Sequence, residues 1–257
     1  MSEENRFAMR GSSMHAALSA LGLGDPCPVL VLVGGAANIA PEVADALLVL
    51  FEMLAPELDA LGVALIDGGT AFGVMALMGE ARHRTAARFP LIGVAARGTV
   101  APATLPAQAR VSLLPGAQDA EHWTDPEAAG GKSARLDPNH SHFLLTPGDQ
   151  WGDEAAWIDA AADCLAVGLP SLTLVAAGGQ ITRLDVAMSL ESGRRLIILS
   201  GSGGTADQLA TWWRGGEAIA DLPLGDRERA LIQVIELTDA ADCLPDLLTQ
   251  VFAPSAE

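Results

Sequence analysis

The stretch Val29-Leu-Val-Leu-Val-Gly-Gly35 is a continuous run of aliphatic residues that ends in two glycines. A short run without polar alternation is typical of a strand buried on both faces of a parallel sheet. Pro41, a residue favoured in the first turn of a helix, opens a stretch that reaches about Leu61. The sequence here therefore predicts a strand, a glycine turn and a helix in succession.

The same succession recurs along the chain. Further strands are predicted at 63–66, 91–95, 143–145, 171–175, 196–199 and 232–236. Further helices are predicted at about 72–88, 154–167, 182–191, 206–213 and 240–251. Continuously apolar strands that alternate with helices predict an α/β fold of the Rossmann-like, doubly wound type, in which a mostly parallel sheet carries helices on both faces.

The segment 97–141 interrupts this alternation, because it is rich in Pro, Gly and polar residues and offers only a short edge strand near 111–114. A connection of this length inside a compact domain is usually functional. Residues 1–25 carry little periodic signal and are interpreted as an N-terminal leader. Residues 26–257 are predicted to form a single Rossmann-like domain.

The charge balance excludes several classes of partner. The net charge is −17 and Lys132 is the only lysine. An acidic surface repels phosphate backbones, so neither nucleic acid nor an anionic membrane is an expected partner. The apolar runs are of strand length, below the roughly 20 residues of a membrane helix, and no membrane insertion is predicted. Without a signal-peptide profile, and with three scattered cysteines interpreted as buried small residues, we predict a cytoplasmic protein.

Four predicted strand-to-helix turns are rich in glycine, namely 34–35, 68–70, 178–179 and 201–205. In a doubly wound sheet these turns meet at the carboxyl edge, where ligands bind. Glycine allows close approach of the backbone, and helix N-termini attract phosphate. The four turns predict a nucleotide-type ligand. None matches the dinucleotide fingerprint or the P-loop, which disfavours an ordinary NAD-dependent dehydrogenase and an ATPase.

The segment Leu136-Asp-Pro-Asn-His-Ser-His-Phe-Leu-Leu-Thr146 crowds polar groups before a predicted strand. His140 and His142 would project to the same side of an extended backbone. A metal site would need a third ligand such as His122 or Asp137, at irregular spacing, and none is predicted. Two interpretations of the two histidines stay open: they lock the loop, or they contact the ligand.

These motifs together resemble the prokaryotic branch of the SLOG superfamily, the Rossmann-like module that also forms the N-terminal homology region of melastatin-type TRPM channels. The resemblance covers about residues 28–210, and the histidine segment is its most specific part. The matching stretches are Gly34 to Asn38, Asp67 to Met75, Leu91 to Ala95, Leu136 to Phe143, Trp151 to Glu154, Gly178-Gly179 and Gly201 to Asp207.

The resemblance implies binding of a nucleotide or an NAD-derived metabolite such as ADP-ribose, as in sensors. A related branch, the lysine-decarboxylase-like LOG enzymes, cleaves nucleotide N-glycosidic bonds with a Pro-Gly-Gly-x-Gly-Thr-x-x-Glu motif. Here Gln208 stands where the catalytic Glu of that motif would be expected. This departure argues against phosphoribohydrolase chemistry of that type.

The leading hypothesis is therefore a sensor domain that binds a nucleotide or NAD-derived ligand and requires no cofactor. The alternative is a hydrolase of nucleotide or NAD-like N-glycosidic bonds, with His140, Glu154 and Asp207 as candidate catalytic residues. A homodimer or higher homo-oligomer is also expected, with Trp212-Trp213 and the C-terminal helix as a candidate interface. The candidate ligand-binding residues are Gly34, Gly35, Asn38, Gly68, Gly69, Thr70, Arg97, His140, His142, Gly178, Gly179, Gly201, Ser202, Gly203, Gly204, Thr205 and Asp207.

Overall fold

The computed structural model describes residues 3–36, 39–117, 133–222 and 224–253. At the centre of this part of the chain lies a parallel sheet of eight strands. The strands of the described chain are β1 (Val29–Gly34), β2 (Ala64–Asp67), β3 (Leu91–Ala96), β4 (Val100–Ala101), β5 (Arg110–Leu113), β6 (Ala134–Arg135), β7 (His142–Thr146), β8 (Ser171–Ala176), β9 (Arg195–Ser200) and β10 (Ile232–Glu236). The main sheet has the order β10-β9-β8-β1-β2-β3-β7-β5, and β4 pairs with β6 separately.

The described helices follow the strands as the alternation in the sequence predicts. They are α1 (Glu3–Ala20), α2 (Pro41–Ala60), α3 (Gly73–Arg84), α4 (Ala155–Leu165), α5 (Gln180–Glu191), α6 (Gly204–Trp213), α7 (Asp226–Leu231) and α8 (Ala240–Phe252). Two 3-10 turns, Arg97–Thr99 and Pro102–Thr104, flank β4. The Rossmann-like, doubly wound prediction is confirmed.

Alternate residues of β1 supply two separate cores. Val29, Val31 and Val33 pack with α1, α4 and α6 on one face of the sheet. Leu30 and Leu32 pack with α2, α3 and α8 on the other face. Because β1 is covered on both faces, its sequence reads as an unbroken apolar run, and this is the physical reason the run predicts a central strand.

Helix α1 lies in the segment interpreted from the sequence as a leader. Its second half packs onto the core, where Met14, Leu18 and the following Leu21 are almost completely buried. Gly11 and two serines weaken the helical propensity in the middle of α1, so its pattern is faint in the sequence. The edge strand expected near 111–114 is confirmed as β5, at one end of the sheet.

Two expectations about side-chain exposure are wrong. Trp212 is buried, and the guanidinium of Arg229 lies 4.6 Å from the centre of its ring, so this residue cannot anchor a dimer interface. Cys27 and Cys164 are half-buried, but Cys243 is exposed on α8.

No helix in the described part of the chain is long and apolar enough to cross a membrane.

Candidate functional site

The carboxyl end of β1 and the turn that follows β8 line a cavity of about 400 Å³. From β1 the chain continues outward through β2 and β3, and it later returns to β8 on the other side of β1. This position is therefore the topological switch point, where ligands of doubly wound folds bind. The candidate residues from the sequence that line the cavity are Gly34, Gly35, Gly68, Thr70, Glu154 and Gly179.

The turn after β1 is fixed by a close crossing with the start of α3. The Val74 amide donates to the carbonyl oxygen of Gly35 at 3.0 Å. Gly73 has φ +51°, and a Cβ atom there would overlap that same carbonyl group. Glycine at this position thus lets α3 begin directly against the floor of the cavity.

The turn after β2 presents its residues to two different sides. Gly68 and Thr70 line the cavity. Gly69 has φ +67° and packs away from the cavity, where a Cβ atom would lie 2.6 Å from the Cα atom of Gly93. Gly69 is therefore a packing residue, and its neighbours are the ones available to a ligand.

The N-terminus of α5 faces the cavity. Gln180, Ile181 and Thr182 are the first three residues of this helix, and all three line the cavity. The first amide groups of a helix have no acceptor within the helix and carry a partial positive charge. This end of α5 is suited to an anionic group such as a phosphate.

The 201–205 turn lies behind the 178–179 turn and does not line the cavity. The amide of Thr205 donates to the carbonyl of Gly178 at 2.9 Å, and its hydroxyl donates to the carbonyl of Gly179 at 2.9 Å. Ser202 Oγ accepts a hydrogen bond from the Ala177 amide at 2.7 Å. These polar groups support the neighbouring turn, so the density of glycines in 201–205 reflects tight packing of two turns.

Two buried carboxyl groups, those of Glu154 and Asp185, line the same cavity. They are 8% and 9% exposed. Glu154 Oε2 accepts a hydrogen bond from the Gly152 amide at 3.0 Å, whereas Asp185 Oδ1 has no hydrogen-bond partner in the described structure. Burial raises the pKa of Glu154, and burial together with the charge of Glu154 raises the pKa of Asp185 to about 8.

Asp185 was not among the candidates from the sequence, although a signal was present. The buried stripe of α5 consists of Thr182, Asp185, Val186, Ser189 and Leu190, at helical spacing. A carboxylate inside such a stripe is rarely placed there by packing, because burying an unpaired charge is costly. A search for acidic residues at core positions would have found it.

Trp151 stands at the rim of the cavity. Its side chain lines the cavity and yet stays 45% exposed. Ile181 also lines the cavity and is 37% exposed. An exposed aromatic face beside an aliphatic side chain is suited to stacking against a flat ring.

His140 lies outside the cavity lining, in a fully buried cluster of charges. Its Nε2 donates to Asp67 Oδ1 and its Nδ1 donates to Asp137 Oδ2, each at 2.8 Å. Burial alone would lower the pKa of His140, but the two carboxylates outweigh it and raise the pKa to about 9. The ring is therefore an imidazolium held between two acids at neutral pH.

This cluster fixes the turn that borders the cavity. Asp67 Oδ1 also accepts the Gly69 amide at 2.7 Å, and the Asp137 amide donates to the Gly69 carbonyl at 3.0 Å. Thr70 forms an antiparallel bridge with Leu136. Of the two interpretations left open by the sequence, this geometry favours the locking of a loop for His140.

His142 lies at the amino end of β7, away from the carboxyl edge. Its Nδ1 is 2.8 Å from Ser141 Oγ. Burial, together with the charges of Arg110 and Arg82, lowers the pKa of His142 to about 4, so the ring is neutral at physiological pH. The structure therefore separates the two histidines that the sequence places on one side of a strand, because residues before His142 are not extended.

The remaining candidates lie away from the cavity or outside the described residues. Arg97 donates to the carbonyl of Ala117. Asp207 Oδ1 accepts the Gly201 amide at 2.6 Å. Asn38 and His122 fall outside the described residues. In the described part of the chain no three His, Cys, Asp or Glu residues are grouped as a metal ion would require.

Residues 27–244 match the model of a protein family whose description is "SLOG in TRPM, prokaryote". The transient receptor potential cation channel subfamily M member 2 of Mus musculus is 28% identical over 194 residues, which cover 67% of this chain and 12% of the channel. The same channel of Rattus norvegicus is 27% identical over 194 residues, with the same coverage of both chains. The chain thus spans about an eighth of the length of these curated relatives.

Among solved structures, the molybdenum cofactor carrier protein of Chlamydomonas reinhardtii has a TM-score of 0.49 and 15% identity, over 87% of this chain and 99% of the other. The molybdenum cofactor binding protein of Rippkaea orientalis has a TM-score of 0.48 and 12% identity, over 87% of this chain and 98% of the other.

Proposed function

Because the chain belongs to the family of SLOG in TRPM, prokaryote, we propose that its carboxyl-edge cavity binds a nucleotide or an NAD-derived metabolite and that the protein is a ligand-binding sensor. The observation that carries this proposal is the meeting, in one cavity, of the N-terminus of α5 with the half-exposed Trp151. A phosphate and a flat base are the two parts of a nucleotide that such groups recognise.

The proposed contacts follow from position in the cavity. The phosphate lies at Gly179 and the first turn of α5, beside Gly34 and Gly35. Thr70 also lines the cavity, and its hydroxyl supplies a further donor or acceptor. The base stacks on Trp151.

Isothermal titration calorimetry with NAD, ADP-ribose, cyclic ADP-ribose, AMP and cyclic dinucleotides tests the proposal. We expect saturable binding of at least one of these compounds, and a loss of that binding in Trp151→Ala. Binding of none of them at millimolar concentration would refute the proposal. The control is Trp213→Phe, a substitution at a tryptophan that does not line the cavity.

Hydrolysis of the ligand's N-glycosidic bond is a second candidate function, and Glu154 with Asp185 is the observation that favours it. Buried carboxyl groups with raised pKa values are suited to general acid–base work near neutral pH. A carboxylate would take a proton from a water molecule while the oxygen of that water bonds to the anomeric carbon. The N-glycosidic bond would break, and the base would leave with its electrons.

Turnover is measured by chromatography after long incubation of NAD or AMP with micromolar protein. Release of nicotinamide or adenine that disappears in Glu154→Gln would support hydrolysis. Intact nucleotide, under conditions in which calorimetry shows binding, would refute hydrolysis and leave ligand binding as the only proposed function.

A further inference from the structure

The cavity at the carboxyl edge has an unusual charge balance. Its described lining contains the carboxyl groups of Glu154 and Asp185 and no lysine, arginine or histidine. Asp185 is 9% exposed, and its Oδ1 atom has no partner in the described structure. A buried carboxyl group that lines a cavity and has an oxygen without a hydrogen-bond donor is suited to a ligand group that carries a positive charge or donates a hydrogen bond.

The walls around these carboxyl groups suit an organic cation. Apolar side chains such as Met75 and Ile158 line the same cavity as the two carboxyl groups, and charges beside apolar walls interact more strongly than charges in water. The indole of Trp151 lines the same cavity, and aromatic faces attract cations. A sugar hydroxyl would satisfy the hydrogen bond, but a cation would in addition stabilise the charged forms of the two carboxyl groups.

Resting on the proposed binding of a nucleotide, we infer that Glu154, Asp185 and Trp151 form a subsite for a positively charged ring of the ligand, of the pyridinium type found in oxidised nicotinamide nucleotides. The first turn of α5 begins at Gln180, and Asp185 lies roughly 7.5 Å farther along the helix at 1.5 Å per residue. The distance between a phosphate at the helix N-terminus and a cationic ring at Asp185 is thus similar to the distance that a ribose sets between the phosphate and the ring of a nucleotide.

The protonation of the pair agrees with this subsite. Burial and the charge of Glu154 hold the pKa of Asp185 at about 8 when no cation is present. A cation in contact with the two groups would stabilise their charged forms. Binding of the oxidised ligand would therefore release protons, and binding of a neutral ring would not.

The test compares NAD with NADH, because the two differ in the charge of the nicotinamide ring. Calorimetry at pH 7.5 and 0.15 M salt is expected to show roughly tenfold tighter binding of NAD than of NADH. Glu154→Gln and Asp185→Asn are expected to reduce this ratio to about one while NADH still binds. Both substitutions keep the shape of the side chain, and far-ultraviolet circular dichroism checks that the variants fold.

Glu191→Gln is the matched control, since Glu191 is an exposed acid at the far end of α5. It removes the same charge without touching the cavity, so we expect it to keep the preference for NAD, whereas a preference caused by the overall negative charge of the protein would fall equally in Glu191→Gln and in the two cavity variants. Equal binding of NAD and NADH by the wild type, or a preference that persists in both cavity variants, would overturn the cationic subsite and leave the proposed nucleotide binding intact. Failure of NAD, NADH and ADP-ribose all to bind would refute the proposed function itself.

Discussion

His140 Nε2 lies 2.8 Å from Asp67 Oδ1, and both side chains are completely buried. The second nitrogen of the ring is 2.8 Å from Asp137 Oδ2, so one imidazolium joins two acids that lie 70 residues apart in sequence. The carboxylates come from the end of β2 and from the long connection before β7. Their pairing through His140 adds a side-chain contact to the backbone bonds that hold this connection against the turn bordering the cavity.

Replacing His140 with Ala should destabilise the fold strongly. The substitution leaves the carboxylates of Asp67 and Asp137 buried without the positive charge between them, a situation that typically costs about 3–5 kcal/mol. Urea unfolding at pH 7 measures the loss. His142→Ala is the matched control, because His142 is only half-buried and neutral, and it should cost clearly less. Equal losses in the two variants would contradict the assigned role of His140.

The stability of the wild type should fall as the pH rises above neutrality. The pKa of His140 is raised from 6.5 to about 9 in the folded state, so the folded protein binds this proton more tightly than the unfolded chain. The contribution is fully present below pH 6.5 and is lost as the pH rises through 9, with a size on the order of 3 kcal/mol. Urea unfolding from pH 6 to 9.5 measures it. His140→Gln, which does not titrate, should show a shallower decline above pH 8, where Asp185 has also lost its proton.

Asp185→Asn should stabilise the protein at alkaline pH. The pKa of Asp185 is raised from 3.8 to about 8, so the carboxyl group destabilises the fold increasingly as the pH rises through that window. The amide carries no charge, and we expect a gain of ~2 kcal/mol or more at pH 8.5 and a much smaller difference at pH 4. Thermal unfolding at both pH values provides the comparison, and a variant less stable than the wild type at pH 8.5 would contradict the burial of an unpaired charge.

Gly204→Ala should cost more stability than Gly203→Ala. Both glycines have positive φ values, +56° and +95°, so each substitution introduces backbone strain of about 1–3 kcal/mol. A Cβ atom on Gly204 would in addition overlap the carbonyl oxygen of Gly178, whereas one on Gly203 has no atom within 4 Å. We expect a further ~1–3 kcal/mol for Gly204→Ala by urea unfolding. Equal costs would mean that the two glycine turns are not in tight contact.

Trp151→Ala should weaken ligand binding without much effect on folding. The side chain is 45% exposed, so it contributes little to the core, and stacking of a base on an aromatic ring is worth about 1–3 kcal/mol. Calorimetry should show a loss of tenfold or more in affinity, with a melting temperature close to that of the wild type. Trp151→Phe keeps an aromatic face and should retain most of the affinity. A fully retained affinity in Trp151→Ala would remove this residue from the site.

The elements of the fold could be predicted because each central strand is buried on both faces. The unbroken apolar runs of β1, β3 and β9 follow directly from that burial. Helix α1 could not be predicted in the same way, since its position against the core depends on α4 and not on a pattern of its own. The edge position of β5 agrees with its exposed and half-buried residues.

The sequence by itself determined the doubly wound sheet and the carboxyl edge at which Gly34, Gly68 and Gly179 meet, because strand burial and turn chemistry are local properties. Only the tertiary structure decided what each polar group at that edge does. It placed Asp185 in the cavity, the 201–205 turn behind it, and His140 between Asp67 and Asp137. The physical reason is that charge pairing and burial depend on groups brought together from distant parts of the chain, and no spacing along the sequence encodes those distances.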